Sequence, residues 1–197
     1  TVKCSNEGDR VASVFPAVDL LGPGGGESMG IADDDTMVVV VDVRTVLSAG
    51  AGRAVGAEQP LPEGFPAVAL DEYGVPAIAV TEAFAPSGEV QNAVRIVGEG
   101  PVIEANQTVL AHYRSMVART GTLIDDTWAT GAAGEPLSFG LEQGLPGLGE
   151  SLVGKTVGSQ VVIMVPSAGG YQIEDQESRG MVPDDVLIYV VDILDAG

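Results

Sequence analysis

The sequence repeats itself, without a gap, when it is shifted by 150 positions. The matching residues are Gly8 and Val11 on Gly158 and Val161, Pro16 on Pro166, Glu27–Ser28 on Glu177–Ser178, Gly30 on Gly180, Asp34–Asp35 on Asp184–Asp185, and Val40–Asp42 on Val190–Asp192. A repeat of this kind indicates one structural unit that is used twice. Residues 1 to about 46 and the last part of the chain are therefore predicted to share a fold.

Three further blocks follow one another along the later part of the chain: Thr108–Tyr113, Pro146–Gly158 and Met181–Leu194. Their order resembles FKBP-type peptidyl-prolyl isomerases, which have a strand ending in His-Tyr, a Pro-Gly helix region and a last strand with spaced Leu and Val. The resemblance covers about residues 90 to 195. Combined with the repeat, it implies that the chain starts inside a tandem arrangement of the actinobacterial type.

The predicted organisation has four parts. Residues 1–47 are expected to form the C-terminal half of a degenerate FKBP-like domain, and residues 90–197 the FKBP-type isomerase domain. Residues 48–64 mix Gly, Ala and Pro without periodicity, which is typical of a mobile linker. Residues 65–89 are predicted to be an extended lead-in of short strands around a turn at Asp71–Gly74.

The predicted fold class is α+β. Residues 145–153 are the single helix expected in the later domain, whereas Gln91–Ile96 and Thr108–Met116 are predicted strands. One helix among many strands favours a curved antiparallel β-sheet wrapped around one short helix, which is also the fold of the family. The valine-rich run Val38–Val46 is predicted to be a strand that is buried on both faces.

Composition excludes several classes of partner. The formal net charge is −19, with nine Lys and Arg against 28 Asp and Glu. Nucleic acids and anionic membrane surfaces would repel such a chain. The single cysteine, Cys4, excludes an intrachain disulfide, and Asp33–Asp35 lacks the spacing of a calcium loop. No cofactor or metal is expected.

The resemblance also assigns candidate site residues. The catalytic candidates are Tyr113, Asp125 and Tyr171. Tyr113 would lie in the pocket wall, and the hydroxyl of Tyr171 would donate to a substrate carbonyl. The candidate substrate-binding residues have mainly apolar side chains: Ile124, Leu137, Phe139, Leu145, Leu148, Met181, Val182 and Tyr189. Leu145 would bind through its backbone N–H. Ile124, Leu137 and Leu148 stand where the family usually has Phe, Phe and Trp, so fewer aromatic surfaces are expected.

Two conspicuous side chains are given other roles. His112 precedes Tyr113 on a strand and should point to the opposite sheet face, so it is interpreted as structural rather than catalytic. Trp128 is expected near the pocket rim. By the shift of 150, Val39 occupies the place of Tyr189 and Leu21 that of Tyr171, so the first repeat is interpreted as noncatalytic.

The resemblance implies a peptidyl-prolyl cis-trans isomerase that assists protein folding, with reduced activity. Its partners would be proline-containing polypeptides and, weakly, macrolides. The alternative is a noncatalytic peptide-binding or chaperone module on the same scaffold, and a third reading is a purely structural assembly domain. The resemblance further implies a bacterial protein that is secreted or held in the cell envelope. Oligomeric state is left open.

Overall fold

The computed structural model describes residues 5–43, 52–129, 134–142, 147–167 and 179–197. The chain forms two compact units, Thr1–Ser48 and Ala49–Gly197. The second unit therefore includes the predicted linker and lead-in together with the predicted isomerase domain. The predicted boundaries between linker, lead-in and isomerase domain remain a prediction.

The first unit is a hairpin with a helical connection. Strand β1 (Arg10–Pro16) is followed by helix α1 (Ala17–Leu21), a short 3-10 helix (Glu27–Met29) and strand β2 (Thr36–Asp42). β1 and β2 pair antiparallel, from Arg10 opposite Asp42 to Pro16 opposite Thr36.

The second unit contains the remaining elements. They are β3 (Ala57–Glu58), β4 (Ala67–Leu70), β5 (Pro76–Ala79), β6 (Gln91–Val97), β7 (Thr108–Val117), β8 (Leu123–Asp126), β9 (Leu137–Gly140), α2 (Leu148–Leu152), β10 (Gln160–Pro166) and β11 (Val186–Ala196). The main sheet has the order β3-β6-β10-β11-β7-β8, and β9 also pairs with β7. Its paired neighbours all run antiparallel, so the expected α+β class with one short helix is confirmed for this unit.

The two hairpins have the same strand register. Gln160 lies opposite Asp192 and Pro166 opposite Val186, and each of these positions is 150 residues beyond its counterpart in β1 or β2. Their loops also close in the same way. The N–H of Ala32 donates to Oδ2 of Asp35 at 2.8 Å, and that of Val182 donates to Oδ2 of Asp185 at 2.8 Å. The sequence repeat therefore corresponds to a repeated local structure.

The prediction that the valine run of β2 is buried on both faces is wrong. Val38 and Val40 are 63% and 57% exposed, whereas Ile188 and Val190, at the equivalent positions of β11, are fully buried. Among the described residues β2 pairs with β1 alone, while β11 lies between β10 and β7. A continuous valine run gives β propensity, but its burial depends on the layers packed against it.

Both faces of the main sheet carry apolar clusters. The inner cluster lies on the face that also receives α2, and its central members include Leu152, Ile163, Leu187, Tyr189 and Val191. The outer cluster lies on the opposite face and consists of Met116, Val162, Ile188 and Val190. Side chains that alternate along β11 supply the two clusters in turn, as the two-residue period of a strand requires.

The lead-in covers the outer cluster. The short strands expected here are β4 and β5, which pair as a hairpin. Val68 and Ile78 of this hairpin pack on the cluster with Leu61, Phe65 and Phe84. Arg114 of β7 also donates from Nη1 to the carbonyl of Pro76. This segment is therefore a layer of the second unit, and the sheet is covered on both faces.

Residues 52–64 are also attached to the sheet rather than forming the expected linker. The N–H of Val55 donates to Gly158 O at 2.9 Å and that of Gln59 to Arg95 O at 2.7 Å. Gly56 lets the chain approach closely, because a Cβ there would lie 1.8 Å from the carbonyl oxygen of Val97. The glycine content that suggested a linker serves close backbone packing here.

Candidate active site

Tyr113 of β7 forms one wall of the candidate site. It is partly buried and packs against the inner cluster. Its ring meets Phe139 of β9 edge-on, with centroids 6.5 Å apart and ring planes at 78°. This T-shaped arrangement is a favoured aromatic geometry and holds the phenol in one orientation.

Asp125 of β8 faces the same region. Its N–H donates to Ser115 Oγ at 3.0 Å, and its carboxylate Oδ2 lies 3.5 Å from Nη1 of Arg179. The two charged side chains are each about one third exposed, at 34% and 37%. A pair this long and this exposed contributes little to stability, about 0–1 kcal/mol. Its effect is on the local electric field.

That field acts on the Tyr113 hydroxyl. Burial, and after it the negative charge of Asp125, raises the pKa of Tyr113, while the positive charge of Arg179 lowers it. The phenol therefore stays protonated at neutral pH and can donate a hydrogen bond. Arg179 was not found by the sequence analysis. The signal that could have found it is its position just before the loop block that begins at Met181.

The floor of the site is apolar. Leu148, Met181 and Tyr189 are buried members of the inner cluster, with 4%, 4% and 1% of their surface exposed. Ile124 and Phe139 are partly buried against it. Leu148 is the first residue of α2, directly after Gly147, whose φ of 82° is left-handed and suits glycine. These five candidates and Tyr113 thus belong to, or pack against, one apolar cluster, and the charge of Asp125 acts on Tyr113.

Two other candidates lie apart from this group, and two lie outside the described residues. Leu137, at the start of β9, is 48% exposed and lies outside the inner cluster. Val182 is 44% exposed and borders a separate cleft. Leu145 and Tyr171 lie outside the described residues. The expectation that Leu137 replaces a pocket side chain therefore has no support in its position.

The loop that carries Met181 and Val182 is anchored by Asp185. Arg119 donates to both carboxylate oxygens of Asp185, at 2.7 and 2.9 Å, and Val182 N–H donates to Oδ2 at 2.8 Å. The pair with Arg119 lowers the pKa of Asp185, and burial opposes this. The sequence analysis noted Asp185 only as a repeated residue and missed its structural role.

His112 has the expected structural role. Its Nδ1 lies 2.9 Å from Thr127 Oγ1, and its ring stacks on Trp128 with centroids 4.9 Å apart. Burial lowers the pKa of His112, against the opposing charge of Asp126. Trp128 is itself buried and belongs with His112, so its expected place at the pocket rim is wrong. Adjacent strand residues point to opposite faces, which separates His112 from Tyr113.

Within the described ranges no cluster of three or more His, Cys, Asp or Glu side chains is placed to hold a metal ion. No helix in those ranges has both the length and the apolar character that crossing a membrane requires. The candidate site thus combines apolar side chains of the inner cluster with the hydroxyl of Tyr113 and the ion pair of Asp125 and Arg179.

Two solved structures are similar to part of this chain. The N-terminal domain of FKBP42 from Arabidopsis thaliana matches with a TM-score of 0.50 and 23% identity, covering 62% of this chain and 98% of that one, which supports the fold. FkpA from Escherichia coli matches with a TM-score of 0.43 and 23% identity over 66% of this chain. The present chain spans about half of FkpA, 51% of its length.

Sequence comparison is more specific. An FK506-binding protein from Streptomyces anulatus is 31% identical over 99 residues, which make up 49% of this chain and 77% of that protein. Residues 100–194 match the family described as FKBP-type peptidyl-prolyl cis-trans isomerase. This range contains Tyr113, Asp125 and the apolar floor. The chain therefore belongs to the FKBP-type peptidyl-prolyl cis-trans isomerase family.

Proposed function

We propose that this protein accelerates cis–trans isomerisation of X–Pro bonds in polypeptides and thereby assists protein folding, without a covalent intermediate. The observation that carries the proposal is the apolar floor of Leu148, Met181 and Tyr189 beside Tyr113 and Asp125. Uncatalysed rotation of a peptide bond has a barrier of about 18–20 kcal/mol, because resonance keeps the amide planar. An isomerase must lower that barrier, and it needs no nucleophile to do so.

An apolar surface can lower the barrier by desolvation. The planar amide has a larger charge separation than the twisted one, so removing water disfavours the ground state more than the transition state. Donors at the edge then hold the flanking carbonyls in the twisted geometry. Tyr113 is protonated at neutral pH and supplies one donor. Tyr171 is proposed as a second, by resemblance to the family.

We expect the activity to be lower than in family members with aromatic pockets. Ile124 and Leu148 offer aliphatic surfaces where such members have Phe and Trp, and Leu137 is half exposed. The same replacements would weaken macrolide binding. Secretion or attachment to the cell envelope is also proposed, on family resemblance alone.

Asp125→Asn tests the proposal. In the 197-residue protein, isomerisation of a short X–Pro peptide should be accelerated, and the variant should lose about tenfold in kcat/KM, equivalent to ~1.4 kcal/mol. Because the charge of Asp125 raises the pKa of Tyr113, that pKa should fall in the variant. NMR of 13C-labelled tyrosine measures this shift independently of turnover.

Glu104→Gln is the matched control, since it removes an exposed carboxylate elsewhere on the same unit. It should leave both the kcat/KM and the pKa of Tyr113 unchanged. A folded wild-type protein that gives no acceleration at all would contradict the proposal.

A noncatalytic peptide-binding module is the second candidate. The half-exposed Leu137 favours it, because an apolar side chain at the surface can contact peptides without enclosing a prolyl bond. Equal affinity for proline-containing and proline-free apolar peptides would support this candidate. Strict dependence on proline would exclude it.

A further inference from the structure

The second unit has a cleft at the end of β7, and two of its lining residues, Phe84 and Ala118, also pack against the outer cluster. It has a volume of about 360 Å³ and is bordered by the end of the lead-in, by the residues after β7 and by the 182–186 segment. Its apolar lining consists of Val80, Phe84, Pro86, Ala118, Val182 and Val186. Small-ligand pockets have volumes of about 300–1,000 Å³, so the cleft can hold a side chain or two but not a folded element.

The charged residues that line the cleft are Arg119, Asp184 and Asp185, and Asp184 is exposed. Arg119 and Asp185 form a two-point ion pair, and Asp185 also accepts from the N–H of Val182. Apolar surface remains open, because Val80 and Val182 are 43% and 44% exposed. An apolar occupant would therefore gain by burying this apolar area.

The candidate site and the cleft share one segment. Arg179 contacts Asp125 at the candidate site, and Asp185 contacts Arg119 at the cleft. An extended chain covers at most about 3.3–3.6 Å per residue, so the six steps from Arg179 to Asp185 span no more than roughly 20 Å. A bound polypeptide could reach both places within a similar number of residues.

We propose that the cleft is a subsite for an apolar side chain of the polypeptide substrate, about three to six residues away from the prolyl bond. This inference rests on the proposed function and adds a substrate preference to it. The protein would act on segments that combine proline with a nearby large apolar residue, as unfolded chains do. Short peptides would occupy only the candidate site.

Peptides with one leucine test this subsite. A series in a Gly/Ser background carries a single X–Pro bond, with Leu placed three to six residues before or after proline. Partner peptides have Ser in place of Leu. For the wild-type protein, the best-placed Leu should raise kcat/KM about fivefold to tenfold, because burying its apolar surface in the cleft outweighs the cost of ordering the peptide.

Val80→Arg should remove this gain and leave turnover of the Ser peptides unchanged. Val97→Arg is the matched control, since Val97 on β6 is 40% exposed and does not border the cleft. It should retain the gain. Equal unfolding midpoints of the two variants would show that the substitution at position 80 acts on binding.

The outcomes separate this inference from the proposed function. Turnover of all peptides without a leucine gain at any position, or a gain that survives Val80→Arg, would overturn the subsite. If no peptide is turned over, fluorescence anisotropy of labelled Leu and Ser peptides measures their binding instead. Tighter binding of the Leu peptide that depends on Val80, without any turnover, would keep the subsite and overturn the isomerase proposal. Equal binding without turnover would overturn both.

Discussion

At the scale of single residues, Asp192 shows how burial alone changes an acid. Its side chain is 1% exposed, and its carboxylate accepts from Ala54 N–H at 2.8 Å and from Gln160 Nε2 at 2.7 Å. Gln160 in turn accepts from Arg95 at 3.0 Å. Burial nevertheless raises the pKa of Asp192 to about 6, against these hydrogen bonds and the charges of Arg95 and Arg53.

This pKa predicts a pH dependence of stability. Between the unfolded value of 3.8 and about 6 the folded state keeps a proton that the unfolded state releases. The free energy of unfolding should therefore fall as pH rises from about 4 to 6, by up to about 3 kcal/mol from this group. Denaturant unfolding at a series of pH values measures it.

Asp192→Asn isolates the contribution, because other acids titrate over the same range. The variant lacks the titrating group, so the wild-type free energy should decline more steeply than the variant's between pH 4 and 6. Parallel curves for the two proteins would contradict the raised pKa of Asp192.

At the scale of elements, the lead-in hairpin is the layer that the composition did not reveal. The short apolar runs and the Asp71–Gly74 turn predicted β4 and β5, and the structure confirms both. The alternation of apolar and polar residues alone does not predict which surface these two strands pack on. Hydrophobic alternation specifies a buried face, whereas the partner of that face depends on contacts far apart in sequence.

Ile78→Ala tests whether this layer contributes stability. Ile78 is partly buried against the outer cluster, so its truncation should lower the free energy of unfolding by about 1–2 kcal/mol. Val97→Ala on β6 is the comparison, because Val97 is 40% exposed and should cost less than about 0.5 kcal/mol. Chemical denaturation followed by Trp128 fluorescence gives both values. Equal, small losses would mean that the hairpin is not a stabilising layer.

At the scale of the whole molecule, the two units differ in how far their hairpins are covered. The same register is found in both, but only the second hairpin has β6 and β7 along its edges and apolar clusters on both faces, among the described residues. The second hairpin buries Val162, Met164, Ile188 and Val190. The corresponding residues of the first hairpin are Ala12, Val14, Val38 and Val40, which are exposed. Identical local pairing therefore coexists with very different burial.

Two truncations test the extent of the isomerase unit. A chain of residues 49–197 keeps both clusters and should retain the unfolding midpoint of its sheet and any isomerase activity. A chain of residues 89–197 keeps every candidate site residue but uncovers Met116, Val162, Ile188 and Val190. It should unfold at a lower temperature and bind hydrophobic dyes. Indistinguishable melting of the two chains would contradict a structural role for residues 52–88.

By itself, the sequence determined the family blocks, the 150-residue repeat and the strands β6 and β7. It also identified Tyr113, Asp125 and Tyr189 as candidate site residues. These features depend on local patterns and on residue order, which can be seen in one dimension. The tertiary structure decided that residues 55–59 are hydrogen-bonded to the sheet and that the β4–β5 hairpin packs on its outer cluster. It also decided that Leu137 is exposed, that Trp128 stacks on His112 and that Arg179 pairs with Asp125. Burial and ion pairing depend on which distant segments meet, and no local pattern contains that information.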